Sequence, residues 1–173
     1  MKPIRILLTD DHPMVRMGLR CAIEDQNDMQ VVGEASSAEA TVNLYLELKP
    51  DILLLDLRLP DFDGVAVTKE LLKIDKQTAV IILSSFDGAD DIRRALKAGA
   101  RSYLPKNVSP DELAEAIRQV HETGHFTTRL MRKHLQSDEP VLALTERERE
   151  VLELVTRGYA NKEISVALKI AEG

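Results

Sequence analysis

Three stretches of this chain are apolar without interruption, and each stops at polar residues. Ile52-Leu53-Leu54-Leu55 ends in Asp56, Ala79-Val80-Ile81-Ile82-Leu83 ends in Ser84-Ser85, and Ile6-Leu7-Leu8 ends in Thr9-Asp10-Asp11. Short continuous apolar runs bounded by turn signals read as strands buried on both faces, the habit of a parallel sheet covered by helices. A buried strand has no reason to end in a charge unless that charge has a partner or work to do. Asp56 is therefore the residue to explain. It is either a cap for the turn Leu59-Pro60-Asp61-Phe62-Asp63-Gly64 or an active group.

Helical patterns lie between the strands. Pro13 suits a first helical turn, where no N–H is needed, and Val15, Leu19, Ala22 and Ile23 share one face. Cys21 in that helix reads as a free buried thiol. After a short strand, Gln30–Ala35, the run Ser36-Ser37-Ala38-Glu39 is a capping box that opens a helix through about Leu48. That helix carries Ala40, Leu44 and Leu48 on one side and Val42, Tyr45 and Leu46 on another. The second side is either part of a broad core stripe or a contact with another domain or chain. Further helices span about Gly64–Ile74 and Asp90–Ala98, the latter stopped by Gly99. A last short strand, Ser102-Tyr103-Leu104, precedes Pro105 and Lys106. Ser109-Pro110-Asp111-Glu112 then opens a helix with Leu113, Ile117 and Val120 inward.

Strand and helix alternate five times, which implies an α/β fold: a five-stranded parallel sheet with helices on both faces. Right-handed crossovers favour the flavodoxin-like order 2-1-3-4-5. That order centres the three most apolar strands and leaves Pro105 on an edge, where its missing donor is tolerated. Residues 1–125 form this domain. Residues 126–141 read as a linker, with the pattern of a short helix at Arg129–Gln136. Residues 142–173 form a separate, partial all-α unit: a third capping box at Thr145–Glu148, a helix ending at Gly158, and a second helix capped by Asn161 with Ile164 and Leu168 inward. Two helices of that size bury too little surface to stand alone.

The single Cys21 allows no intramolecular disulfide and fits a reducing, cytoplasmic compartment. No run approaches the ~18 apolar residues of a membrane span. The net charge is −6, and no segment is basic: residues 126–139 carry 3 Lys/Arg against 2 Asp/Glu, and residues 140–173 carry 5 against 6. The residues present thus have no electrostatic footprint for nucleic acid.

Ligands of open α/β sheets bind outside the carboxyl ends of the strands. The groups found there are Asp10 and Asp11 after strand one, Asp56 ending strand three, Ser84 ending strand four and Lys106 after strand five. Adjacent strands run about 5 Å apart, so these groups converge. Three carboxylates in one pocket repel unless a cation is present. An all-oxygen site with few protein ligands suits Mg2+ shared with phosphate. A carboxylate can attack a phosphoryl group and become an aspartyl phosphate, while Lys106 and Ser84 stabilise its oxygens. Neither G-x-x-x-x-G-K-[ST] nor G-x-G-x-x-G occurs, so the phosphoryl donor comes from elsewhere.

Asp10-Asp11-His12-Pro13, Leu55-Asp56-Leu57-Arg58-Leu59-Pro60 with Asp63-Gly64, Ser84-Ser85, Ala98-Gly99-Ala100 and Tyr103-Leu104-Pro105-Lys106 together resemble a two-component receiver domain over residues 3–124. The resemblance implies phosphoryl transfer from a sensor histidine kinase to Asp56. It implies Mg2+ bound by Asp11, Asp56 and the backbone carbonyl of Arg58, with Asp10 reaching it directly or through water. Ser84 and Tyr103 match the family's switch pair, although the strand pattern alone makes Tyr103 a half-buried aromatic. Arg58 and Phe86 occupy positions that resemble the family's rate-tuning sites. The outer faces of Pro13–Asp25 and Pro110–Thr123 correspond to the common dimer surface.

Leu144–Leu152 and Asn161-Lys162-Glu163-Ile164 resemble the start of a LuxR-type helix-turn-helix domain. The whole then resembles a NarL/FixJ-type response regulator that, when phosphorylated, changes self-association and controls transcription. The residues present end where that family's recognition helix would begin, and Lys169 and Ala171 depart from its usual turn Gly and hydroxyl cap. Promoter DNA is accordingly expected as a partner of a full-length protein only, and none of the residues present is expected to read bases. Two other readings share the fold. A haloacid-dehalogenase-like phosphatase also uses a strand-end Asp with Mg2+, but needs Asp-x-Asp after strand one, which Asp10-Asp11-His12 does not supply. A flavin carrier needs a Thr/Ser-rich loop there. On the receiver reading the protein is not an enzyme, beyond slow self-phosphorylation and autodephosphorylation.

Overall fold

A computed structural model of the chain describes residues 2–85 and 88–136, together with Leu154 and Tyr159. The elements are β1 (Ile4–Thr9), α1 (Pro13–Glu24), β2 (Met29–Ala35), α2 (Ala38–Leu48), β3 (Ile52–Asp56), α3 (Gly64–Ile74), β4 (Val80–Ser84), α4 (Ala89–Lys97), β5 (Ser102–Pro105), α5 (Pro110–Thr123) and α6 (Arg129–Gln136). All strand pairs are parallel, and the sheet runs β2-β1-β3-β4-β5 as expected. Phe86, the 137–141 part of the linker and the helices expected within 142–173 lie outside the described residues. The chain divides into two compact units, Met1–Ser137 and Asp138–Gly173.

The pleat explains why the central runs are apolar throughout. Successive side chains of a strand point to opposite faces. Ile52 and Leu54 of β3 join Ile6, Leu8, Ile81 and Leu83 in a core closed by α1 and α5. Leu53 and Leu55 join Leu7, Val80 and Ile82 in a second core closed by α2, α3 and α4. Both faces are dry, so neither set of alternating positions has room for a polar residue.

The helices follow the sequence pattern with instructive departures. α5 is capped by Ser109, which accepts from Glu112 N, and ends at Gly124 with φ +83°. At α2 the cap is Ser37, which accepts from Ala40 N, not Ser36, the residue that completes the capping-box spacing. The N-terminus of α2 is instead closed by a remote residue: both oxygens of Asp61 accept from Ala38 N, at 3.0 and 2.9 Å. The buried residues of α2 are Ala38, Thr41 and Tyr45. Its core stripe is therefore broad, and Tyr45 belongs to it, with its hydroxyl 2.8 Å from Thr78 Oγ1. Only Leu46 of the second apolar side is exposed. Cys21 is exposed, contrary to the expected buried thiol. Leu19 and Ile23 turn inward from α1, and a residue midway between them lies on the opposite side of the helix.

The first compact unit extends past residue 125 because α6 docks on it. Met131 and Thr128 are buried, and Leu130 packs against the α2–α3–α4 core. Thr128 Oγ1 accepts from Met131 N at 3.1 Å and donates to Tyr103 O at 3.3 Å.

Candidate functional site

The carboxyl ends of β1, β3, β4 and β5 bring most of the expected groups together. Asp10 continues the β1–β2 ladder, its N–H donating to Ala35 O, and its side chain is fully buried. Asp56 is the last residue of β3 and is 2% exposed. Lys106 follows β5, and its N–H donates to Ser84 O at 2.8 Å, which fixes the start of its side chain beside the end of β4. Its ammonium then lies 2.6 Å from Asp56 Oδ2 and 2.7 Å from Asp10 Oδ2. Ser84 is buried at the end of β4, in register with Pro105.

Asp56 is both turn cap and buried charge. Its Oδ1 accepts from Arg58 N at 3.1 Å, closing the first step of the following turn, while Oδ2 accepts from Lys106. Burial raises the carboxyl above the ordinary aspartate range. Lys106 and the Arg58 N–H oppose that rise, and Asp10 adds to it. Burial alone would lower the Lys106 ammonium, but its contacts with Asp10 and Asp56 outweigh burial and raise it. One cation thus faces two buried carboxylates, with the half-buried Asp11 beside them.

Two buried oxygens of this cluster, Asp10 Oδ2 and Asp11 Oδ1, have no directed hydrogen bond. Lys106 approaches the first and His12 Nδ1 approaches the second at 2.6 Å, as ion-pair contacts. Asp10, Asp11, His12 and Asp56 each offer a ligand atom within 4.8 Å of the others. Under-satisfied oxygens of excess negative charge fit a hard divalent cation better than they fit one ammonium. Sequence reasoning passed over His12. Its neighbours Asp10 and Asp11 were the signal, but a lone exposed histidine on a loop is indistinguishable from a solvated one.

Two expected residues sit differently from the rest. Tyr103 is fully buried in the α2–α3–α4 core, not half-buried. Sequence reasoning missed this because α6, which covers that side of β5 with Met131, belongs to a stretch that read as linker. The Arg58 side chain leaves the cluster and pairs with Asp91 of α4 at 3.2 Å.

Residues 6–118 match the family described as response regulator receiver domain. The chain is a response regulator. Residues 142–173 match the bacterial regulatory proteins of the luxR family. The response regulator is 40% identical over 176 residues to the transcriptional regulatory protein LiaR of Bacillus subtilis, covering 96% of this chain and 83% of that protein. It is 37% identical over 173 residues to the response regulator protein VraR of Staphylococcus saprophyticus, covering 97% and 83%. Among solved structures it resembles a LuxR-family two-component response regulator from Aurantimonas sp., at 33% identity and TM-score 0.73, over 78% of this chain and 96% of that one. The RcsB response regulator of Salmonella typhimurium matches at 25% identity and TM-score 0.74, over 99% and 85%. The family is one of transcription regulators with a LuxR-type helix-turn-helix, which sets aside the phosphatase reading.

Proposed function

We propose that Asp56 is the phosphoryl acceptor of this response regulator and that a sensor histidine kinase is its donor. The carboxylate attacks phosphorus as the phosphorus–nitrogen bond of a phosphohistidine breaks, and the imidazole leaves with the electron pair. The Lys106–Asp56 contact carries this reading: the acceptor is buried at a strand end with its counter-charge already in place. Lys106 is positioned to neutralise charge on the phosphoryl oxygens, and Ser84, buried at the neighbouring strand end, to donate to one of them. Tyr103 completes the switch, one residue before Leu104 on β5.

Mg2+ would be held by Asp10, Asp11, Asp56 and the backbone carbonyl of Arg58, and when bound supplies further neutralisation of the phosphoryl oxygens. The oxygens of Asp10 and Asp11 that lack directed hydrogen bonds support it. Arg58 and Phe86 tune the lifetime of the phosphate, and self-phosphorylation and autodephosphorylation are slow. Residues 1–125 carry the switch, residues 126–141 link it, and residues 142–173 begin the DNA-binding domain, whose partner is promoter DNA in the full-length protein. The reading includes a cytoplasmic protein. No helix among the described residues is long and apolar enough to cross a membrane. Phosphorylation promotes a homodimer through the outer faces of α1 and α5, where Met14 and Met17 project outward.

Incubation with acetyl phosphate and Mg2+ is expected to label the chain to one equivalent, with the label lost in Asp56→Asn. Label retained in that variant, or continuous turnover of an added phosphomonoester, overturns the reading. Size-exclusion chromatography with and without beryllofluoride tests the dimer.

A further inference from the structure

The loop after Asp56 folds back on itself. Leu59 N donates to Phe62 O, Gly64 N donates to Leu57 O, and Arg58 pairs with Asp63 as an isolated antiparallel bridge. The backbone bridge joins a basic and an acidic residue two and seven positions after Asp56. Both face α4, where Asp91 and Arg94 stand one turn apart with their charges in the opposite order. Arg58 Nη2 lies 3.2 Å from both oxygens of Asp91. Arg94 donates to Asp63 through Nη2 and to Asp91 through Nη1, the latter at 3.1 Å. Three ion pairs link the four groups in a chain, Arg58–Asp91–Arg94–Asp63, whose ends the backbone bridge joins, and Asp91, with 17% of its side chain exposed, receives both guanidinium groups.

A lone exposed ion pair moves little, but a network of several charges holds the direction of its long side chains. Arg58 is already tied to the acceptor by its backbone, through the N–H to Asp56 Oδ1. Only its side chain has a choice, between Asp91 and the acidic cluster two residues back.

We propose that Asp91 is a positioning residue for the acceptor: it parks the Arg58 guanidinium on α4, and so sets how long a phosphoryl group on Asp56 survives. This rests on the reading of Asp56 as acceptor. Hydrolysis requires a water oxygen to bond to phosphorus as the phosphorus–Oδ bond breaks. The carboxylate and inorganic phosphate separate, and the water's proton passes to solvent. With Asp91 replaced by asparagine, the guanidinium is released toward the dianionic phosphoryl group and covers the water's approach. With the Asp91 carboxylate holding Arg58 on α4, that approach stays open.

The test uses the whole chain as wild type, Asp91→Asn, Arg58→Ala and the double variant. Each is loaded from acetyl phosphate with Mg2+, the donor is removed and the decay of label is followed. Asp91→Asn is expected to slow decay about two- to fivefold, the range a partly exposed ion pair commands over a rate. In the Arg58→Ala background the same change is expected to do nothing, since Asp91 acts only through that guanidinium. Equal decay in wild type and Asp91→Asn overturns the proposal. So does a slowing that persists without Arg58. Failure of wild type to take label, or label surviving Asp56→Asn, overturns the acceptor reading and this inference with it.

Discussion

Lys106 Nζ sits 2.6 Å from Asp56 Oδ2, tying the end of β5 to the end of β3 across β4. The pair does not fully settle the buried charge, because the Asp56 carboxyl stays raised, first by burial and last by Asp10. A raised folded value means the native state holds that proton more tightly than the unfolded chain does. Ionising Asp56 therefore costs stability, in a window that opens near the unfolded value of about 3.9 and is complete above the raised folded value. In the presence of a chelator, Asp56→Asn is expected to raise the urea midpoint at pH 7, with the gain fading as pH falls toward about 4. Lys106→Met is expected to lower the unfolding free energy by about 1–3 kcal/mol, because it strands two buried carboxylates. A midpoint for Asp56→Asn at or below wild type at pH 7 would show that Lys106 fully compensates the burial.

Gly64 opens α3 directly against the end of β3. A β-carbon there would overlap Asp56 O and come within 3.1 Å of Leu57 Cα. Both are backbone atoms of a buried segment and cannot swing aside. Gly64→Ala is expected to cost about 1–3 kcal/mol in urea unfolding and to slow labelling of Asp56 by displacing it. Wild-type stability together with a wild-type labelling rate would contradict the close approach.

Thr128 holds α6 to the sheet. Its buried hydroxyl serves the Met131 N–H and the Tyr103 carbonyl together. Thr128→Val keeps the shape and removes both bonds, at a cost of about 1–2 kcal/mol that falls on the docking of α6. Trypsin is expected to cleave after Arg129 and Arg132 several times faster in the variant, while β1 to β4 keep their hydrogen-exchange protection. Unchanged cleavage would mean Met131 alone anchors the helix.

Arg118 reaches from α5 to the turn before β2, with Nε 2.7 Å and Nη2 2.9 Å from the oxygens of Asp28. The Arg118 contact holds the Asp28 carboxyl below its usual range. A depressed folded value gives stability that is present above the unfolded value and lost as pH falls through the folded one. Asp28 is 45% exposed, so solvent screening limits the effect of Arg118→Ala to about 0.5 kcal/mol at pH 7. Thermal melts of the two proteins are expected to converge as pH falls through the depressed Asp28 value. A difference that stays constant with pH would assign the loss to the hydrogen bond that Arg118 Nη2 donates to Gln26 Oε1, 2.9 Å long, and to packing instead.

The sheet was legible in the sequence because its signals are local and redundant. Continuous apolar runs, helical faces such as Leu113-Ile117-Val120 and the stops at Gly99 and Gly124 each specify one element, and the alternation allows few topologies. The convergence of Asp10, Asp56 and Lys106 follows from that topology alone, since strand order and the carboxyl-end rule bring them together. Ser36 differs from the observed cap by one residue, a step that the capping pattern does not resolve, whereas Cys21 lies off the face that Leu19 and Ile23 already define. Asp61 could not be read as the cap of α2, because a cap supplied from a remote loop leaves no spacing in the sequence.

Local pattern and topology thus determined the fold and the meeting of Asp56 with Lys106. Only the tertiary structure decided which way the side chains around Asp56 turn. It sends Arg58 to Asp91, sets His12 on Asp11 and buries Tyr103 beneath α6. Each of these outcomes depends on a residue distant in the sequence or on a rotamer chosen among competing charges. Asp56, by contrast, has its place fixed by the strand that ends in it.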